Sequence, residues 1–169
     1  AIASNNAANI LGFKWIASGN FLDNEMDKGS LIEVVKFIEN AKSLSKPDIV
    51  YTHSSSDLNI DHRVVSEAVL TAFRPQPNEL CKEIRVFEVP SATDYGHRSV
   101  TGCFNPNLYV DITETWNKKL LALKEYAHEI KDYPHTRSLK GIENLSQLRG
   151  NQVGIYQAEA FEIIRKIQP

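Results

Sequence analysis

Apolar positions fall into helical stripes and short runs that alternate along much of the chain. Ile2, Ala7, Ile10 and Leu11 share one helical face, Gly12 suits a helix stop, and FKWIAS (13–18) reads as a strand. Ser30 is placed to cap a helix running to about Ser43, with Leu31, Val34, Val35, Ile38 and Ala41 on one face. Pro47 ends it, because proline cannot continue the hydrogen-bond ladder. DIVYT (48–52) is rich in β-branched residues and reads as a strand buried on both faces. Val64, Val65, Ala68, Val69, Ala72 and Phe73 form the stripe of a helix that begins near His62 and closes at RPQP (74–77). IRVFEV (84–89) and LYVDI (108–112) read as further strands. PSATDYGHRSVTGCFNPN, between them, is long and polar enough for a functional loop. A helix is expected from about Glu114 to Ile130 with Trp116 in the core, and another over about Ser138–Arg149 with Gly150 as its C-terminal cap. AEAFEIIRKI near the end suits a strand about as well as a helix.

Strand and helix alternate over roughly the first 90 residues, which predicts βαβ units. The expected architecture is one α/β domain spanning 1–169, a Rossmann-like three-layer sandwich with a mainly parallel sheet. In such sheets ligands gather at the carboxyl ends of the strands. HSSSDLNIDHR (53–63) lies at one such end, between the strand DIVYT and the helix that follows.

Composition narrows the function classes without selecting one. The 169 residues carry a formal charge of −2 with no basic run, so a phosphate-tracking nucleic-acid surface is not expected. No apolar run approaches the ~20 residues of a membrane span. Cys81 and Cys103 form no metal-type pair and read as reduced thiols of a cytoplasmic protein.

The polar loop supports two readings. In one, Asp61 caps the helix, Asp57 and Asn59 fold the loop through backbone contacts, and the serines are solvated. In the other, His62 binds a metal: an imidazole at a helix N-terminus tends to stay neutral, and neutral imidazole is the ligand form. Asp61 could then orient a ring or hold a water. A catalytic zinc needs three protein ligands, and this loop offers one or two. Elsewhere, His53 either ends a strand or serves as general acid or ligand contact. His135 and Arg137 in YPHTRS either bind substrate or oxyanion or form a capped, solvated loop. Glu88 and Ser91 in FEVPSAT lie at another strand end and are candidates for ligand contacts.

PDIVYTHSSSDLNIDHRVVSEAVLTAFRP resembles the second motif of the LmbE-like (PIG-L) zinc-dependent de-N-acetylases: a strand, a loop ending in Asp-x-(His or Asn)-x-Asp-His, and a helix. FEVPSATDYG, FNPNLYVDITETWNKKLLALKEYAHEI, PHTRS and RGNQVGIYQAEAFEIIRK resemble the family too, so the likeness runs from about Asn6 onward. The resemblance implies a hydrolase that removes acetyl groups from N-acetylated sugars or glycoconjugates, acting as a homo-oligomer. It makes His62 a zinc ligand and Asp61 the carboxylate that tunes the site, with Asp57 and Asn59 shaping the loop and the substrate's approach. Asn59 stands where many members carry a histidine, and it can donate a hydrogen bond but not shuttle a proton. The family's first motif, His-Pro-Asp-Asp-Glu, supplies the catalytic base and the other zinc ligands, and it follows none of the histidines here. The implied chain is thus the C-terminal portion of the fold, its first strands and remaining ligands lying upstream. A non-catalytic sugar- or nucleotide-binding domain, or a pseudoenzyme, is the alternative.

Overall fold

The computed structural model describes residues 2–168. Its internal contacts divide the chain into two units, each described by itself. One joins the segment ending at Trp15 to Leu108–Ala160, and the other joins Ile16–Asn107 to the segment from Phe161 onward.

The second unit contains the predicted βαβ motif. Strand β1 (Ile49–His53) runs parallel to β2 (Glu83–Phe87), with Ile49 opposite Glu83 and His53 opposite Phe87. Helices α2 (Leu31–Ser45) and α3 (Ile60–Ala72) pack against each other, α3 packs on β1, and the one-turn helix α4 (Arg98–Thr101) lies in the connection after β2. Their apolar stripes meet as foreseen. Val34, Val35, Ala68, Val69, Ala72 and Phe73 form a core with Cys81 and Ile84, each large side chain contributing roughly 1.5–3 kcal/mol by leaving water. Ser30 occupies the N-cap position of α2 in extended conformation, but its side chain makes no capping bond. The helix ends at Lys46, which takes a left-handed conformation (φ 47°) ahead of Pro47.

The sheet departs from the expected one. Among the described residues it has four strands in the order β1-β2-β4-β3, where β3 is Leu108–Asp111 and β4 is Ala158–Lys166. β2 and β4 are antiparallel, with Phe87 opposite Phe161 and a register irregularity at Ile84/Arg85. The class is α/β, as predicted, but this sheet is mixed rather than mainly parallel. The tail AEAFEIIRKI, ambiguous in sequence, is the strand responsible. β1 is an edge strand, with Ile49 37% and Tyr51 48% exposed, instead of buried on both faces. Its β-branched residues report strand propensity, which does not say how many neighbours a strand has.

In the first unit α1 (Ile2–Leu11) packs against α5 (Trp116–Lys124). Gly12, at φ 85°, closes α1 with its amide on the Ala8 carbonyl. FKWIAS forms no strand, and neither edge of the sheet uses it. The helix expected to reach Ile130 is shorter: a 3-10 turn at Thr113–Thr115 leads into α5, and turns follow Lys124. Trp116 is partly exposed and not a core residue. Helix α6 (Leu139–Asn151) starts where predicted, with Ser138 Oγ accepting the Gly141 amide at 2.9 Å. Gly150 lies inside α6 and is not its cap. A Cβ there would sit 2.5 Å from the Ile155 carbonyl oxygen, so glycine is needed for close approach of the returning chain.

Candidate active site

The site is built where β1 ends and α3 begins, within the second unit. Asn59, not Asp61, caps α3: its Oδ1 accepts the amides of Asp61 (2.8 Å) and His62 (3.4 Å). This fills orphan donors of the first turn and fixes the direction in which His62 leaves the helix. Asn59 Nδ2 donates to Asn24 Oδ1 at 3.3 Å. The Asp61 carboxylate turns away from the ring beside it in sequence. Its oxygens accept the Asn24 amide at 2.7 Å and the Met26 amide at 3.0 Å, tying the 24–26 segment to the start of α3.

Asp57 is the carboxylate that meets the imidazole. Its side chain is fully buried, and Oδ2 lies 2.8 Å from His62 Nδ1. The other oxygen, Oδ1, accepts the Thr93 hydroxyl. Thr93 Oγ1 in turn accepts the Val89 amide at 2.7 Å. Arg63 Nη1 donates to the carbonyls of Asp57 (2.9 Å) and Leu58 (2.7 Å), bracing the loop from α3. Ser54 and Ser56 are buried and share a 2.6 Å hydroxyl contact, so these serines are not solvated.

With Nδ1 committed to Asp57, the His62 ring is held by a buried anion. Nε2 has no hydrogen bond among the described residues, and the side chain is about one-fifth exposed. A ligating histidine is ordinarily held in this way, one nitrogen on a carboxylate and the other toward the ion. His53, at the end of β1, stacks on His62 with ring centroids 4.0 Å apart and leans on Phe87 at 4.8 Å. Burial, and secondarily the charge of His62, lower its pKa to about 4 against the opposing pull of Asp57. Its Nδ1 is buried without a hydrogen-bond partner.

The remaining candidates divide between the units. Glu88 and Ser91 follow β2 in the same unit as His62, and Ser91 takes a left-handed conformation (φ 66°) in the turn that carries Thr93. That turn docks on the first loop: the Leu58 amide bonds the Ala92 carbonyl at 2.9 Å. Gly96 lies so near that a Cβ would stand 2.3 Å from the Ser56 carbonyl oxygen. His135 and Arg137 belong to the first unit. There His135 Nδ1 accepts the Arg137 amide at 3.0 Å, and Arg137 Nη1 pairs with Glu129 at 3.0 Å. Sequence reasoning passed over Thr93 and Asn24. Thr93 lies 36 residues from Asp57, and no local spacing links the two.

No family model matches the chain, and no curated protein matches it. Solved structures do. A conserved protein from Thermus thermophilus superposes with a TM-score of 0.75 at 17% identity, covering 99% of this chain and 74% of that one. The N,N'-diacetylchitobiose deacetylase of Pyrococcus horikoshii, solved with an inhibitor, gives 0.72 at 21% identity, covering 96% of this chain and 62% of its own. A teicoplanin deacetylase in a zinc-inhibited form gives 0.66 at 14% identity, covering 99% and 74%. At such identities the likeness shows a shared fold.

Proposed function

We propose that this chain is part of a metal-dependent amide hydrolase that removes the acetyl group from an N-acetylated sugar or sugar conjugate. The observation that carries the reading is the Asp57–His62 pair, an imidazole clamped by a buried carboxylate where a βα connection opens at the strand end. Support comes from the deacetylases that share the fold and from the motif resemblance.

The residues fit zinc at one position. His62 Nε2 supplies a lone pair, and Asp57 keeps the other nitrogen occupied. Among the described residues no three His, Cys, Asp or Glu side chains converge to hold an ion. The resemblance implies that the other ligands and the base belong to a His-Pro-Asp-Asp-Glu segment that this sequence does not contain. A bound zinc would acidify a water and polarise the acetamide carbonyl. The chain's own residues have distinct proposed parts. His62 holds the ion and Asp57 orients His62. Asn59 and Asp61 set the first turn of α3 and the 24–26 segment against it. His53 lines the site against the ligand ring, and Glu88 and Ser91 contact sugar hydroxyls. His135 and Arg137 belong to the other unit, where they make local contacts, and they are given no part in this site. The proposal extends to a cytoplasmic homo-oligomer; no helix among the described residues is long and apolar enough to cross a membrane.

The test is acetate release from N-acetylglucosamine conjugates by the full-length protein, with metal content measured in parallel. His62→Ala is expected to lose both, and chelation to abolish release reversibly. A His62→Ala protein that retains its metal and its rate refutes the assignment. The second reading is a non-catalytic sugar- or nucleotide-binding domain, with the polar strand-end loop around His62 as its ligand contact. Sugar binding without any acetate release by the metal-loaded full-length protein would establish it.

A further inference from the structure

We propose that Thr93 is a positioning residue: its hydroxyl locks the Asp57 carboxylate and thereby fixes His62 with the proton on Nδ1 and the lone pair on Nε2. The inference rests on the reading of His62 as the ion-facing ring.

A threonine hydroxyl has one proton to give. The Val89 amide already donates to Thr93 Oγ1 at 2.7 Å. That donation uses an acceptor lone pair and leaves the single O–H for Asp57 Oδ1. The direction of the chain is therefore set by its fixed end, a backbone N–H that can only donate. Asp57 is fully buried, so no solvent replaces a lost donor. With Oδ1 held by Thr93, Oδ2 stays 2.8 Å from His62 Nδ1 and accepts its proton. Remove the hydroxyl, and the carboxylate loses one of two restraints on its rotation. A carboxylate that turns withdraws Oδ2 from Nδ1, and the neutral ring then has no acceptor to keep its proton off Nε2, the nitrogen an ion would use.

Docking of the two loops does not depend on that hydroxyl alone. The Leu58 amide to Ala92 carbonyl bond and the approach of Gly96 to Ser56 hold the turn in place. Thr93→Val keeps the shape, deletes the O–H and also takes the acceptor from the Val89 amide, so unchanged circular dichroism is required before its tautomer is read. Thr93→Ser restores the hydroxyl.

The experiment is NMR on histidine-15N-labelled protein without added metal, at neutral pH, reading the His62 tautomer from long-range proton–nitrogen correlations. Wild type is expected to show Nδ1–H as the dominant form. Thr93→Val should lose that dominance and Thr93→Ser should regain it, all three with the same circular dichroism. A Thr93→Val spectrum identical to wild type, or a Thr93→Ser spectrum like that of the valine variant, overturns the proposal. If the valine variant does not fold, wild type decides: the Thr93 hydroxyl proton must exchange slowly, and rapid exchange overturns the role. The readout is independent of turnover. A His62→Ala protein with undiminished acetate release sinks the hydrolase reading and leaves the tautomer result standing. An unaltered tautomer beside lost acetate release removes Thr93 alone.

Discussion

The starts of α3 and α6 look alike in sequence and differ in what surrounds them. Each helix is capped by a small polar side chain, Asn59 in one and Ser138 in the other, and each carries a histidine and an arginine within a few residues of the cap. At α6 the histidine and the arginine are held by contacts from the same loop. His135 takes a neighbouring amide, and Arg137 pairs with Glu129 at side-chain exposures of 39% and 65%. At α3 a fully buried carboxylate from the preceding loop reaches the imidazole, and a hydroxyl from a second loop reaches that carboxylate. Exposed pairs of the first kind contribute little, about 0–1 kcal/mol. A buried acceptor must be satisfied or its burial costs the full desolvation penalty. Convergence on a buried group, more than the presence of a histidine beside a cap, is what separates a candidate site from a capped loop.

The sharpest way to break this contrast is Asp57→Ala. It strands the His62 and Thr93 donors and empties a buried position, so it should destabilise the protein by about 3 kcal/mol, measured by urea unfolding, and abolish acetate release. A loss below about 1 kcal/mol would mean that the buried network is no more demanding than a surface loop. Next come the caps themselves. Asn59→Ala and Ser138→Ala should each cost about 1 kcal/mol, yet only the former should alter the His62 ring signals in NMR. Equal silence at His62 would show that the cap does not aim the ring. The smallest effect is one of slope. Glu83 in β2 is buried and accepts from Arg85 Nε, with Lys166 Nζ at 3.3 Å. The Arg85 hydrogen bond, helped by Lys166 and opposed by burial, holds the Glu83 carboxyl below the usual glutamate range. A depressed carboxyl pKa stabilises the fold at pH above that range, and the contribution fades as pH falls toward the lowered value. Glu83→Gln should flatten the acid arm of the stability curve, read from urea unfolding across pH, and an unchanged arm would show that Glu83 does not set that slope.

Much of the second unit was legible in sequence. The stripes of α2 and α3 were readable because helical burial recurs at i, i+3 and i+4, and the core residues of α3 are those the stripe names. Pro47 and the β-branched run at 49–52 located the α2–β1 join for equally local reasons. His62 was legible by motif, and Ser138 by its place ahead of an apolar stripe. FKWIAS misled, since an apolar run carries strand propensity whether or not a neighbouring strand is available to pair with it. Asp61 drew the eye because it adjoins His62. Consecutive helical residues point about 100° apart, and its carboxylate serves the Asn24 and Met26 amides instead.

By itself, then, the sequence determined what depends on near neighbours: periodicity, caps, the strand-loop-helix unit and the presence of an imidazole at its hinge. Only the tertiary structure decided that Asp57, not Asp61, holds the ring, that Thr93 stands behind Asp57, and that the final strand runs antiparallel to β2. Those choices depend on which side chains of distant segments share a dehydrated space. A buried carboxylate selects its partners by distance and direction, and chain spacing encodes neither.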